Sequence, residues 1–186
     1  MAIKIYIDQG HNPENPNAGA EGNGLREQDI TYRVGAELAA LLRQNPNYEV
    51  RLSRPTPTSA LGTSNTTSLR ARVEDANAWG ADYFISIHTN ASENPQAGGV
   101  EAFAYSRPSA AYSLGASILT SLSEATGLRN RGMQVRPGLY VLRRTAMPAV
   151  LVEIGFISNP EEAALMNQSP ELFARGIYNG IVARLG

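Results

Sequence analysis

The chain has no cysteine and only two histidines in 186 residues. Without thiols, neither a disulfide framework nor a thiolate metal site can form. A transition metal would have to be held by imidazole and carboxylate, a donor set that favours zinc. The lack of cysteine is compatible with an oxidising exterior and equally with the cytosol, so it leaves the compartment open. An excess of one charge is missing as well. With 16 Lys+Arg against 17 Asp+Glu, a formal net charge of -1 and no long run of either sign, there is no electrostatic footprint for nucleic acid or an anionic membrane. No apolar run approaches the ~20 residues of a membrane span. The first apolar run starts directly after Met1, which leaves no room for a secretory signal; a cytosolic protein and the mature part of an exported one both fit. Internal repeats and low-complexity segments are also absent, and the whole chain, 1–186, reads as one domain with a sizeable core.

What the sequence does have is alternation. Residues 3–7 form a β-branched apolar run that reads as a mostly buried strand ending in Asp8-Gln9-Gly10-His11. The stretch 12–24 is rich in Asn, Gly and Pro, a composition neither helix nor strand holds, and loops of such length inside compact domains are usually functional or disordered. From Arg26 or Glu27, Ile30, Val34, Leu38, Leu41 and Leu42 recur on one helical face until Asn45-Pro46 ends it. A strand over 48–52 delivers Ser53-Arg54 to a polar loop reaching about Thr67, and a helix over 69–79 carries Arg70 and Arg72. Strands are expected at 82–88 and 100–105, then a helix opened by Ser109 and closed by Gly127. A short strand at 139–142 precedes a near-continuous apolar strand at 149–156, buried on both faces yet carrying Glu153. Helices over 160–166 and 170–185 finish the chain. Strands alternating with helices throughout predict an α/β, three-layer single domain with a mainly parallel sheet flanked by helices.

Both histidines stand where a predicted strand gives way to a loop, the arrangement of a sheet that presents ligands at the carboxyl ends of its strands. Singly, each is more often a hydrogen-bonded loop residue. As a pair they suit zinc, which would still need a third protein ligand and, in a catalytic site, an open fourth position. Glu27 is the best candidate for that third ligand, beginning a helix just past the loop that starts at His11. Its plainer reading is a first-turn acid favoured by the helix dipole, typically by about 0.3–1 kcal/mol; Glu14 and Glu21 compete for the role. Glu153 is the more telling carboxylate, because an ionised group in an apolar strand is costly unless paired or used. It is either half of an ion pair, with Arg143 or Arg144, or a general base or acid at a strand end. Asp8 is a candidate to orient a ligand, set against an ordinary turn former. Arg54, Arg72 and Arg131 are candidate anchors for a substrate carboxylate, set against solvated arginines.

In combination, IDQGHN at 7–12, Glu27, SLRARVEDAN at 68–77, ISIHTNAS at 85–92, GGVEAF at 98–103 and LYVLRRTAMPAVLVEIGFISNPEE at 139–162 resemble a known family. It is the zinc-dependent N-acetylmuramoyl-L-alanine amidases of the third amidase type, bacterial enzymes that detach stem peptides from peptidoglycan glycan strands. The resemblance runs from the first strand to the final helix. It implies that His11, Glu27 and His88 ligate Zn2+, that Glu153 is the catalytic glutamate, and that the sheet is mixed but mainly parallel. It also implies hydrolysis of the amide between the lactyl group of N-acetylmuramic acid and L-alanine, outside the cytoplasm at the cell wall or periplasm. Peptidoglycan would be the partner, with a protein activator left open. The chain departs from the pattern at Gln9, where Pro commonly precedes Gly-His; the change is expected to alter loop stiffness and leave the chemistry in place. Some relatives carry an inserted helix over the zinc, and the connection 99–109 has no room for one. An open site is therefore expected, as in the compact spore-cortex members. Two rival readings stand beside this one: a non-catalytic or partner-dependent peptidoglycan-binding protein on the same fold, and a zinc hydrolase of another peptide or amidosugar.

Overall fold

A computed structural model describes all residues from Met1 to Gly186. The elements run β1 (Ile3–Gln9), β2 (Glu21–Gly22), β3 (Leu25–Arg26), α1 (Glu27–Arg43), β4 (Tyr48–Leu52), α2 (Asn65–Trp79) and β5 (Tyr83–Asn90). They continue with β6 (Val100–Ala104), α3 (Ala110–Thr126), β7 (Asn130–Val135), α4 (Tyr140–Arg144), β8 (Ala149–Phe156), α5 (Pro160–Gln168) and α6 (Pro170–Leu185). Six strands form one sheet in the order β4-β1-β5-β8-β6-β7, and β2 pairs only with β3. The first four strands of that order are parallel, β6 is antiparallel to β8, and β7 is parallel to β6. The sheet is mixed and mainly parallel.

Central parallel strands must be apolar on both faces, because helices cover both. Ile5, Ile7, Ile85, Ile87, Val150, Val152 and Ile154 join one buried cluster with residues of α1, α3 and α6. Tyr6, Phe84, Phe103 and Leu151 join a second with Val73 and Ala76 of α2 and Val141 and Leu142 of α4. Tyr6 stacks on Phe84 with ring centroids 5.4 Å apart. The three layers expected from the alternation are therefore present. No helix is long and apolar enough to cross a membrane.

Helix ends follow their capping residues. Ser109 caps α3 by accepting from the Tyr112 N–H, and Gly127 closes it in the left-handed conformation. The helix expected from 69 instead begins at Asn65, because Ser64 and Thr67 form a reciprocal capping box. Of residues 139–142, expected as a strand, Leu139 is an extended N-cap and the other three are helical in α4. A four-residue apolar run is too short to display a period, and the Thr145 hydroxyl closes the turn by donating to the Val141 carbonyl. The strand lies upstream, in β7, whose sequence NRGMQV hides it: an edge strand needs little apolar burial. The short β2–β3 hairpin inside the long loop was equally hidden, since two-residue strands have no pattern to read.

Ser64→Ala removes the α2 cap at an exposed position. It should lower unfolding free energy by about 1 kcal/mol, seen as a shifted denaturant midpoint at unchanged slope.

Candidate active site

Strands β1 and β5 run side by side, with Gln9 opposite Ile87. The Gly10 N–H extends the ladder by donating to the Ile87 carbonyl at 3.0 Å, which carries His11 up against His88. Gly10 must be glycine here: a Cβ would run into the His88 imidazole and the Ile87 carbonyl. His11 then turns the chain with a φ of 69°, a conformation uncommon for a side-chain-bearing residue. The two imidazoles meet edge to face, centroids 4.9 Å apart.

Glu27, the first residue of α1 and 3% exposed, lies between them. Its Oε1 is 3.1 Å from His88 Nδ1 and accepts from the Thr89 N–H at 2.9 Å. Its Oε2 is 3.2 Å from His11 Nε2 and accepts from the Ala20 N–H at 2.9 Å. One donor atom from each of the three residues falls within a cluster no more than 4.8 Å across. Glu14 pairs with Arg26 at the surface and Glu21 is exposed, so neither competes with Glu27. Burial alone would raise the Glu27 pKa. Hydrogen bonds from His11 and His88, with their charges, overcome that and hold the carboxyl well below the usual range. For His88, burial pulls the pKa down, but the Glu27 carboxylate wins and the net shift is upward.

Strand β8 completes the arrangement. Glu153 is the register partner of His88 on one side and of Glu101 on the other. Side chains directly opposite on one face of a sheet lie ~5 Å apart at Cβ, so an imidazole and two carboxylates form a row across β5, β8 and β6. The ion pair with Arg143 or Arg144 that would have explained Glu153 structurally is absent; both arginines lie exposed on α4. Glu153 Oε2 is instead buried with no hydrogen-bond partner. Its pKa is pushed up to about 7, chiefly by burial; Glu27 and Glu101 reinforce this, while His88 and Arg136 oppose it.

The remaining candidates divide. Asp8 Oδ1 accepts from Arg72 Nη1 at 2.6 Å and Oδ2 from the Ser86 hydroxyl at 2.7 Å. Burial disfavours the Asp8 charge, but Arg72 and Ser86 lower its pKa overall. Arg72 also donates to the Gln9 and His11 carbonyls, each at 2.7 Å. It therefore grips the loop that carries His11. Arg54 donates to the Gln28 and Pro57 carbonyls. Arg54 and Arg72 are 0% and 1% exposed, which rules both out as substrate anchors. Arg131 is committed in part to Glu101, 3.5 Å away. Gln9 does more than alter stiffness: its Oε1 accepts from the Arg54 N–H and its Nε2 donates to the Tyr32 carbonyl. Asn90 donates to Glu101 Oε1 at 2.6 Å. Glu101 and Gln134, which donates to Glu101 Oε2 at 2.9 Å, were not singled out from the sequence. The signal for Glu101 was the same as for Glu153, a carboxylate inside an apolar strand.

The His11 and His88 side chains retain 21% and 18% of their exposure, so solvent reaches them. Strand β6 and a short turn fill the connection between Gly99 and Ser109, with no helix over the site. A family model described as N-acetylmuramoyl-L-alanine amidase matches residues 5–183. The chain belongs to the N-acetylmuramoyl-L-alanine amidase family.

Within that family it is 36% identical over 183 residues to the amidase CwlM of Bacillus licheniformis, a match covering 96% of this chain and 67% of that protein. It is 34% identical over 185 residues to the sporulation-specific amidase of Bacillus subtilis (strain 168), covering 96% and 67%. The chain thus spans about two thirds of the length of these relatives. Its fold matches the CwlD amidase of Clostridioides difficile, solved in complex with the GerS lipoprotein, with a TM-score of 0.90 at 27% identity over 98% of both chains. The catalytic domain of the amidase CwlV from Bacillus (Paenibacillus) polymyxa var. colistinus gives 0.86 at 31% identity, again over 98% of both.

Two stability effects follow from the site. Arg72→Met would leave Asp8 buried without its counter-charge and should cost about 3–5 kcal/mol in denaturant unfolding. The Glu153 carboxyl ionises near 4.5 when unfolded and near 7 when folded. Between those values the folded state holds the extra proton, so stability falls as pH rises. Metal-free Glu153→Gln should match the parent near pH 4 and exceed it at pH 8 by up to roughly 3 kcal/mol, measured by urea unfolding at the two pH values.

Proposed function

We propose that the chain is a peptidoglycan hydrolase that cleaves the amide between the lactyl group of N-acetylmuramic acid and L-alanine of the stem peptide. The observation that carries this reading is the row in which half-buried Glu153 stands directly opposite His88, beside the His11–Glu27 cluster. Zinc fits the cluster on chemical grounds, with two imidazoles and one carboxylate converging. His11 Nδ1 and Glu153 Oε2 are also buried without a partner, where buried polar groups ordinarily have one. His11, Glu27 and His88 would hold the ion. Bound zinc supplies Lewis acidity, which lowers the pKa of water and polarises a carbonyl.

The chain's own residues do the rest. Glu153 takes the proton of the attacking water at its unpartnered Oε2 and returns it to the nitrogen of the departing L-alanine. Burial raises the proton affinity of the Glu153 carboxyl, the direction a group that must both take up and return a proton requires. Asp8 and Arg72 hold the His11 loop in place, so little reorganisation is needed when substrate arrives. The partly exposed histidines support a site that needs no uncovering step. Action outside the cytoplasm, at the cell wall, follows from the substrate. The solved CwlD–GerS complex makes a protein partner worth testing, and activity of the isolated chain decides whether one is required. No observation favours the non-catalytic alternative.

Digestion of purified peptidoglycan with and without added zinc, read by mass spectrometry, tests the reading. Free stem peptides beginning with L-alanine should appear, stop after complete chelation and return with zinc. Glu153→Gln should lower kcat by about 10²–10⁴, the usual contribution of a general base. Near-parental turnover in that variant, or full activity without metal, would sink the proposal.

A further inference from the structure

Of the arginines that border the site, three are committed inside the protein. Arg54 and Arg72 are buried among backbone carbonyls. Arg131 reaches Glu101, donates to the Gly98 carbonyl at 3.2 Å and lies 5.1 Å over the Phe156 ring. Arg136 differs from all of these. It is exposed, it makes no ion pair, and its guanidinium lies 4.9 Å over the Phe103 ring. Its one side-chain hydrogen bond is donated from Nη2 to Gln134 Oε1 at 3.4 Å. Gln134 in turn donates to Glu101. The amide therefore spaces the guanidinium away from the Glu101 carboxylate, and the charge stays unneutralised.

Strand register sets its distance from the reacting centre. Phe103 pairs with Leu151, two residues before Glu153 in β8, and Glu101 pairs with Glu153 itself. Alternate residues share a face, so Phe103, Leu151, Glu153 and Glu101 all look toward the α2 and α4 side. At ~3.4 Å per residue, the level of Phe103 lies about 7 Å along the strands from the Glu153 row. An extended peptide advances roughly 3.3–3.6 Å per residue. A group about two residues beyond a bond held at Glu153 could therefore reach the level of Phe103, where Arg136 covers the ring.

We infer that Arg136, held over Phe103 next to the Glu153–Glu101 row, anchors a free carboxylate of the stem peptide and makes the enzyme prefer that carboxylate to its carboxamide. The inference rests on the amidase reading above. Two features argue for a carboxylate over a neutral group. A guanidinium offers a planar fork of donors matched to a carboxylate, and the ring beneath it restrains the fork without occupying its edge. Glu101 and Glu153 also repel an anion that drifts toward them, so a carboxylate near the row is tolerated only where Arg136 can offset them. Stacking on Phe103 limits the ordering entropy that a free arginine would lose on binding.

The test compares N-acetylmuramoyl dipeptides ending in D-isoglutamate with the same compounds ending in the carboxamide, D-isoglutamine, using the zinc-loaded full chain. The parent should show kcat/KM about tenfold higher for the carboxylate, the order expected of one charge-assisted pair at a solvated site. In Arg136→Gln the ratio should fall close to one, and Arg136→Lys should keep part of it. Arg43→Gln, at the far end of α1, should leave the ratio as in the parent. A parental ratio near one, or an undiminished ratio in Arg136→Gln, overturns the inference while leaving the amidase reading intact. Cleavage of neither compound, nor of purified peptidoglycan, overturns both. Arg136 is exposed, so loss of folding is not expected, and circular dichroism of each variant checks it.

Discussion

Parallel pairing of β1, β5 and β8 in one register is the constraint on which the site depends. Ile5, Ile7, Ile85, Ile87, Val150 and Val152 all bury against the α1, α3 and α6 layer. The residues between them must then face the other way. A slip of one position in β8 would turn Glu153 into the apolar layer and bring Val152 to the site instead. Burying that many β-branched side chains makes such a slip prohibitive. The hydrophobic effect thus decides where an imidazole and a carboxylate point, although neither contributes to it.

The same region gathers four carboxylates, and each is handled differently. Asp8 is neutralised by Arg72 and Ser86. Glu27 takes two backbone N–H groups and two imidazoles. Glu101 is held by Asn90, Gln134 and, at longer range, Arg131. Only Glu153 keeps a buried oxygen without a partner. A chain selected for stability alone would have no use for an acid there, since two like charges opposite one another across a sheet are destabilising. The surrounding ionised groups are satisfied, so the strain collects on the single group proposed to carry the proton.

Much of this was legible before any coordinates. Apolar alternation located the central strands, and capping residues such as Ser109 and Gly127 located helix ends. Glu153 stood out because a charge interrupts an apolar run. The failures have physical causes. Residues 139–142 were ambiguous because four apolar residues fit either period, and β7 was silent because an edge strand buries little. Arg54 and Arg72 looked like surface arginines because nothing local announces that a guanidinium will be wrapped by carbonyls from a distant loop. Gln9 looked like a minor departure for the same reason; its partners are Tyr32 and Arg54.

By itself, then, the sequence determined the α/β class, the strand that carries each histidine and the short set of acids able to join them. These depend on hydrophobic periodicity and capping, which act between residues a few positions apart. Tertiary structure alone decided that Glu27 and not Glu14 or Glu21 sits between the histidines, and that Glu153 faces His88 without an ion pair to Arg143 or Arg144. It also decided that Arg136, unlike Arg72, is left free. Those outcomes hang on contacts between residues as far apart as the 61 that separate Glu27 from His88, and a contact of that range is fixed by sheet register and not by any local pattern.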